Sequence, residues 1–228
     1  MSLFAIADTH LSFGTNKPMD TFEGWQNYTE KLQNNWNKII SPADDVIIAG
    51  DISWAMNFDE LRADFDFINK LNGNKIIIKG NHDYWWNTVT KMNKFLDENG
   101  FKTIRFLHNN SYVCGNVSVC GSRGWLFESD DEFDEKVLNR EVARLKMSLN
   151  AAEREEKIVF LHYPPITSNS RCDEIIEVLK EHNITKCFYG HLHGEAARYS
   201  IDDTVEGIDF KLISCDRLKF IPYLILRY

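Results

Sequence analysis

The chain of 228 residues contains no apolar stretch longer than a strand, and a bilayer crossing needs roughly 20 consecutive apolar residues, so no membrane span is expected. Cysteine is sparse. Its five cysteines are an odd set with no CxxC pair, which argues against a disulfide framework or a cysteine zinc site. Cys120 and Cys187 sit in strand-like runs where a small apolar thiol packs well. Positive charge is also short: 26 Lys and Arg stand against 34 Asp and Glu, for a net charge of -8. That balance argues against sequence-independent nucleic-acid binding, which depends on neutralising phosphates. The acids Glu128, Asp130, Asp131, Glu132, Asp134 and Glu135 would repel a polyanion further, and read as a solvated loop entering a helix N-terminus. The first residues, Met1 to Asp8, lack the basic flank of a signal peptide, so a cytoplasmic protein is expected. No repeat, low-complexity tract or linker divides the sequence, and residues 1–228 are read as one domain.

Strand and helix patterns alternate instead. Apolar, β-branched runs at Leu3–Ala7, Val46–Ala49, Ile76–Lys79, Lys157–His162 and Lys186–Gly190 read as strands. Apolar residues at intervals of three and four predict helices over Thr21–Ile40, Asp59–Leu71, Asn87–Glu98, Phe133–Glu153 and Asp173–Glu181. In the fourth of these, Glu141 is expected on the outward face. Such alternation implies crossover units and a largely parallel sheet. The middle reads as a hairpin region of short strands, Thr103–Leu107, Tyr112–Cys114 and Val117–Gly121, with turn signals at Asn109-Asn110 and Gly115-Asn116. Ala197–Ile201, Ile208–Ser214 and Pro222–Arg227 are expected to close the chain as antiparallel strands.

Five polar blocks follow the principal strands directly: Asp8-Thr9-His10, Gly50-Asp51, Gly80-Asn81-His82-Asp83, His162, and Gly190-His191-Leu192-His193. A ligand residue at a strand end lies at the rim of a sheet, where side chains from distant segments can meet. Asp8 and His10, two apart, would leave a strand end on the same side and could grip one cation; His191 and His193 share that spacing.

In order and composition these blocks resemble the calcineurin-like metallophosphoesterases, whose pattern is DxH, GD, GNH followed by an acid, an isolated His, and GHxH. The resemblance implies an α/β fold, an αββα sandwich of two central mixed sheets flanked by helices. It implies that Asp8, His10, Asp51 and His193 hold one metal and Asp51, Asn81, His162 and His191 the other, with Asp51 bridging. The mixed imidazole, carboxylate and amide donors suit divalent manganese, iron or zinc better than copper or calcium. Two such ions can share a water, lower its pKa and aim the hydroxide at phosphorus. By the same resemblance His82 is no ligand; it would contact the phosphoryl group or protonate the leaving alkoxide, and Asp83 beside it is the candidate to hold its imidazolium.

Outside the blocks the signals are weaker. Trp54, Trp85 and Trp86 follow ligand blocks and either line a pocket for a nucleobase or other flat group or pack in the core or at a dimer contact. Arg123 either clamps phosphate with its planar fork or makes a structural ion pair. Pro164 and Pro165 end the strand before them and fix where His162 points. Trp25 and Trp36 belong to a helix stripe and read as core, and His108 and His182 as surface or cap residues. Gly50-Asp51 is followed by Ile52-Ser53-Trp54-Ala55-Met56 and so lacks the arginine of the GDxxDRG pattern of protein phosphatases, which disfavours that activity. The whole looks most like bacterial phosphohydrolases grouped with class III cyclic nucleotide phosphodiesterases. The expected function is hydrolysis of a small soluble phosphodiester or phosphomonoester, with nucleotides among the candidates. The alternative, a non-catalytic binding scaffold, would show eroded ligands, and all seven ligand positions carry ligating residues.

Overall fold

The computed structural model describes residues 1–125 and 135–228 of the chain. The elements run β1 (Ser2–Ile6), α1 (Tyr28–Ile39), β2 (Asp45–Ala49), α2 (Phe58–Lys70), β3 (Asn74–Ile78), α3 (Val89–Asn99), β4 (Ile104–Phe106), β5 (Tyr112–Cys114), β6 (Val117–Ser122), α4 (Glu135–Asn150), β7 (Lys157–Leu161), α5 (Asp173–Glu181), β8 (Lys186–Tyr189), a 3-10 segment (Gly194–Tyr199), β9 (Thr204–Val205), β10 (Ile208–Leu212) and β11 (Tyr223–Arg227). They form a five-stranded sheet in the order β11-β1-β2-β3-β4 and a six-stranded sheet in the order β5-β6-β7-β8-β10-β9.

The continuous apolar runs become intelligible once both faces of each sheet are covered. Leu3, Ala5 and Ala7 of the first strand, with Ile47, Ala49, Ile76 and Ile78, face Val117, Val119, Ile158, Phe160 and Phe188 of the other sheet. The alternate residues Phe4, Ile6, Val46, Ile48 and Ile77 pack outward on α1, α2 and α3. Cys120, Val159, Leu161, Cys187 and Tyr189 do the same on α4 and α5. Two sheets with helices on both outer faces make the expected αββα sandwich. Burying each such aliphatic side chain contributes about 1.5–3 kcal/mol. Among the described residues no helix is long and apolar enough to cross a membrane.

Register then sets the site. Ile6 pairs with Ile48 in parallel, Ala49 with Ile78, and Leu161 with Tyr189. The polar residues that follow each strand are therefore level with one another at one end of the sandwich.

Several expectations fail. Helix α1 begins at Tyr28, not Thr21, because Asn27 is left-handed at φ 54° and the segment before it is a series of turns. The middle is not one hairpin: β4 joins β3 in the first sheet, and only β5 and β6 form a hairpin, in the second. Ala197–Ile201 is no strand, since the 3-10 turn occupies Gly194–Tyr199. β10 runs parallel to β8 and antiparallel only to the short β9, whereas β11 pairs antiparallel with β1 as expected. Glu141 faces inward, fully buried, because it pairs with Arg144 at 2.6 Å and Arg123 at 3.5 Å. Residues 126–134, which hold most of the acidic run and the expected start of the fourth helix, lie outside the described residues.

Candidate metal centre

The turns that carry the expected ligands depart from strand geometry at once. Asp8, His10, Asp51 and His191 all have positive φ, 62°, 43°, 51° and 73°, a region that costs side-chain-bearing residues energy and is retained where surrounding contacts over-determine it. Those contacts are visible. Asp8 N–H donates to Gly50 O at 2.9 Å, His10 N–H to Asp51 O at 3.0 Å, and Gly190 N–H to His162 O at 3.0 Å.

Two donor groups converge. In the first, His10 Nε2 and His193 Nε2 face each other at 3.2 Å, with Asp8 Oδ1 3.4 Å from His193 Nε2 and Asp51 Oδ2 3.8 Å from His10 Nε2. In the second, Asn81 Oδ1 lies 2.6 Å from His162 Nε2 and 3.0 Å from His191 Nδ1, and Asp51 Oδ1 is 3.5 Å from His162 Nε2. The two oxygens of Asp51 thus face different groups. His191 and His193 do not share a group, because the left-handed turn at His191 sends its ring toward Asn81.

These donors fit divalent cations. His162 Nδ1 lies 3.1 Å from the Ala49 carbonyl, which can only accept, so Nδ1 carries the proton and Nε2 is a lone pair. That lone pair then faces the Asn81 oxygen, another acceptor, in an arrangement a shared cation relieves. Ligand atoms of Asp8, His10 and His193, and of Asp8, Asp51 and His162, lie within 4.8 Å of one another.

The electrostatics agree. Burial, and then the charge of Asp8, push the Asp51 carboxyl up to about 8. Burial and the neighbouring His193 lower His10 to about 3. Burial opposes charge on His193, but Asp8 and Asp216 outweigh it and raise the imidazole to about 10. Burial also opposes the Asp8 charge, yet His193, His162 and His10 hold its carboxyl below the usual range. A positive charge among these groups would favour the deprotonated forms of Asp51 and His193.

His82 stands at the edge. Its backbone N–H donates to Asp51 Oδ1 at 2.8 Å, while its half-buried ring lies 5.8 Å from the His10 ring and 4.4 Å from Trp54. Asp83 does not hold the His82 ring. Its buried carboxylate accepts the N–H groups of Asp51, Ile52, Ser53 and Gly80 at 2.7–3.3 Å and the Trp85 indole N–H at 3.1 Å. It ties the turn after β2 to the turn after β3, a role that four backbone donors impose.

The tryptophans divide. Trp85 is buried core, and the half-buried Trp86 packs against the same cluster. Trp54 stacks on His10 with centroids 5.0 Å apart and lines an open cleft. Trp25 is buried but sits 6.0 Å from the His10 ring and 5.9 Å from His193, so it walls the site as well as filling the core. Arg123 makes the structural ion pair with Glu141, and its carbonyl accepts His162 N–H at 3.1 Å and Tyr163 N–H at 2.8 Å.

Sequence reasoning missed Asp216. Its Oδ1 lies 3.0 Å from His193 Nδ1 and its Oδ2 accepts Gly194 N–H at 2.9 Å, which orients the His193 ring as carboxylates behind ligand histidines do. The signal was present, since Asp216 follows an apolar strand as the other site residues do.

A family model described as calcineurin-like phosphoesterase matches residues 1–195. No curated protein matches. Among solved structures, a phosphopantetheinyl hydrolase from Mycobacterium tuberculosis is similar with a TM-score of 0.60 at 16% identity, over 100% of this chain and 96% of that one. A protein of unknown function from Aquifex aeolicus is similar with a TM-score of 0.54 at 16% identity, over 98% of this chain and 95% of that one. At such identities the likeness extends to the fold alone.

Proposed function

The chain belongs to the calcineurin-like phosphoesterase family, and we propose that it hydrolyses a small phosphodiester or phosphomonoester with two divalent cations. Asp8, His10, Asp51 and His193 would hold one and Asp51, Asn81, His162 and His191 the other, with manganese, iron or zinc suited to the donor set. The observation that carries this reading is the convergence of Asp8, His10, His193, Asp51 and His162 donor atoms at one rim of the sandwich. When bound, the cations would acidify a shared water and offset charge on the phosphoryl group.

The chain's own residues do the remainder. Asp51 presents one oxygen to each donor group and so sets how far apart they lie. His82, held by its backbone N–H on Asp51, stands where an imidazole can touch the phosphoryl oxygens or give its proton to the departing alkoxide. Asp83 fixes the turn on which both depend. The balance is that of hydrolysis: one water is consumed, a new P–O bond forms as the ester P–O bond breaks, and an alcohol and a phosphate leave.

The test is reconstitution. Protein stripped by chelator and reloaded with manganese, iron or zinc should cleave p-nitrophenyl phosphate or bis(p-nitrophenyl) phosphate, and the preferred ester assigns the diester or monoester class. Asp51→Asn should lose both metals together with nearly all turnover. Ordinary metal content and turnover in that variant would refute the assignment.

A further inference from the structure

Beside the metal centre a cleft of about 450 Å³ opens between the loop after β1 and the turns after β2 and β3. His82 and Trp54 are its inner wall. Since the His82 N–H donates to Asp51 and Trp54 stacks on His10, the cleft begins where the donor groups end. The exposed Met56 and Tyr84 also line it.

One charge stands out. The Lys17 ammonium lies 5.5 Å from the Trp54 ring centroid, and Lys17 forms no ion pair among the described residues. The acid that shares the cleft, Glu60, is held by neutral donors instead: its carboxylate accepts Met56 N–H at 2.8 Å and the Asn57 amide at 3.1 Å. The loop bearing Lys17 is also fastened in place. Phe13 N–H donates to the buried Asp64 at 2.7 Å, and a Cβ on Gly14 would fall 1.9 Å from Glu60 O, so the loop backbone lies directly on α2. That wall offers a flat ring, the side chains of Met56 and Tyr84, and a lysine with no carboxylate partner among the described residues.

We infer that this cleft receives the leaving group, and that it selects phosphoesters whose alcohol carries a flat or apolar body with a second anionic group, read by Lys17. The inference rests on the phosphoesterase reading above. A phosphoester with a bare alcohol would leave Lys17 unused, whereas an anion on the far side of the ring would lie within the range of an ammonium over Trp54.

The test uses two esters with the same scissile bond, para-carboxyphenyl phosphate and para-(trimethylammonio)phenyl phosphate, on the metal-loaded full chain. The ratio of their kcat/KM values is compared between wild type and Lys17→Glu. An exposed ion pair contributes up to about 1 kcal/mol, or about fivefold in affinity, and reversing the charge should shift the ratio toward the cationic ester by about tenfold or more. The shift should appear in KM and shrink with added salt. A ratio that moves by less than about twofold overturns the inference. If neither ester is cleaved, the phosphoesterase reading fails separately, and quenching of tryptophan fluorescence by the same two compounds reads the cleft alone. Reversal of their affinity order by Lys17→Glu then supports the cleft assignment, and an unchanged order overturns it.

Discussion

The Asp216 carboxylate takes the His193 Nδ1–H with one oxygen and the Gly194 N–H with the other, so His193 has one ring orientation and Nε2 is left for a cation. It lies beyond residue 195, where the family model's match ends, and belongs to no block of the pattern. Carboxylates in this position raise the basicity of the ligand they hold, and losing one typically lowers metal affinity about 10–100-fold. On the proposed two-cation reading, Asp216→Asn should therefore weaken one metal-binding step by that factor and leave the other, as equilibrium dialysis against manganese would show. Equal weakening of both steps would mean the variant disturbs the centre as a whole. Asp83 was legible as a site residue but its role was not. A carboxylate next to His82 suggests an imidazolium partner, and only the folded turns reveal that backbone N–H groups reach it first.

Helix α2 and strand β3 illustrate how one buried charge can tie elements together. Lys75, on β3, is fully buried, and its ammonium donates to Leu71 O at 2.6 Å and Gly73 O at 2.7 Å, satisfying carbonyls at and just past the C-terminus of α2 as a basic side chain does there. Burial pushes that ammonium down from 10.5 to about 7. Between those two pH values the unfolded chain keeps a proton that the folded chain has released, so stability rises with pH. Below the folded value both states are charged, and the burial penalty is complete. Urea unfolding should show this rise, by up to about 1.4 kcal/mol per pH unit, and Lys75→Met should flatten it between neutral pH and the onset of cysteine titration. A variant with the wild-type slope would show that Lys75 keeps its proton in the fold, its charge compensated by the carbonyls it meets. Element boundaries were legible where periodicity was clean, as in β1, β2, β7 and α5. They were not legible at α1, whose stripe extends to Trp25, because the apolar spacing continues through a turn that Asn27 imposes.

At the scale of the molecule, the site exists because the strands of two stacked sheets end beside one another at one end of the sandwich. Gly190 follows β8 in one sheet, and Asp8 follows β1 in the other. A Cβ on Gly190 would lie 2.5 Å from Asp8 Oδ2 and 2.7 Å from Ala7 Cβ. Overpacking of this kind typically costs about 1–3 kcal/mol. Gly190→Ala should lower the thermal midpoint and reduce metal content together, because the same methyl group pushes apart the sheets and the two halves of the ligand set. Full metal occupancy with an unchanged midpoint would show that the sheets can separate without cost to the centre. A loss of metal alone would confine the damage to Asp8.

Most of the strands, the polar residues that end them and hence the kind of chemistry at the rim were legible along the chain, because alternating burial and strand termination are local properties of a few neighbouring residues. Folding had to set which of the expected ligands face each other, that Glu141 turns inward to two arginines, that β10 runs with β8, and that Asp216 and Lys17 lie beside that group. These depend on contacts between distant segments, as with His10 and His193, which are 183 positions apart. No pattern within either segment encodes the distance at which their rings come to rest.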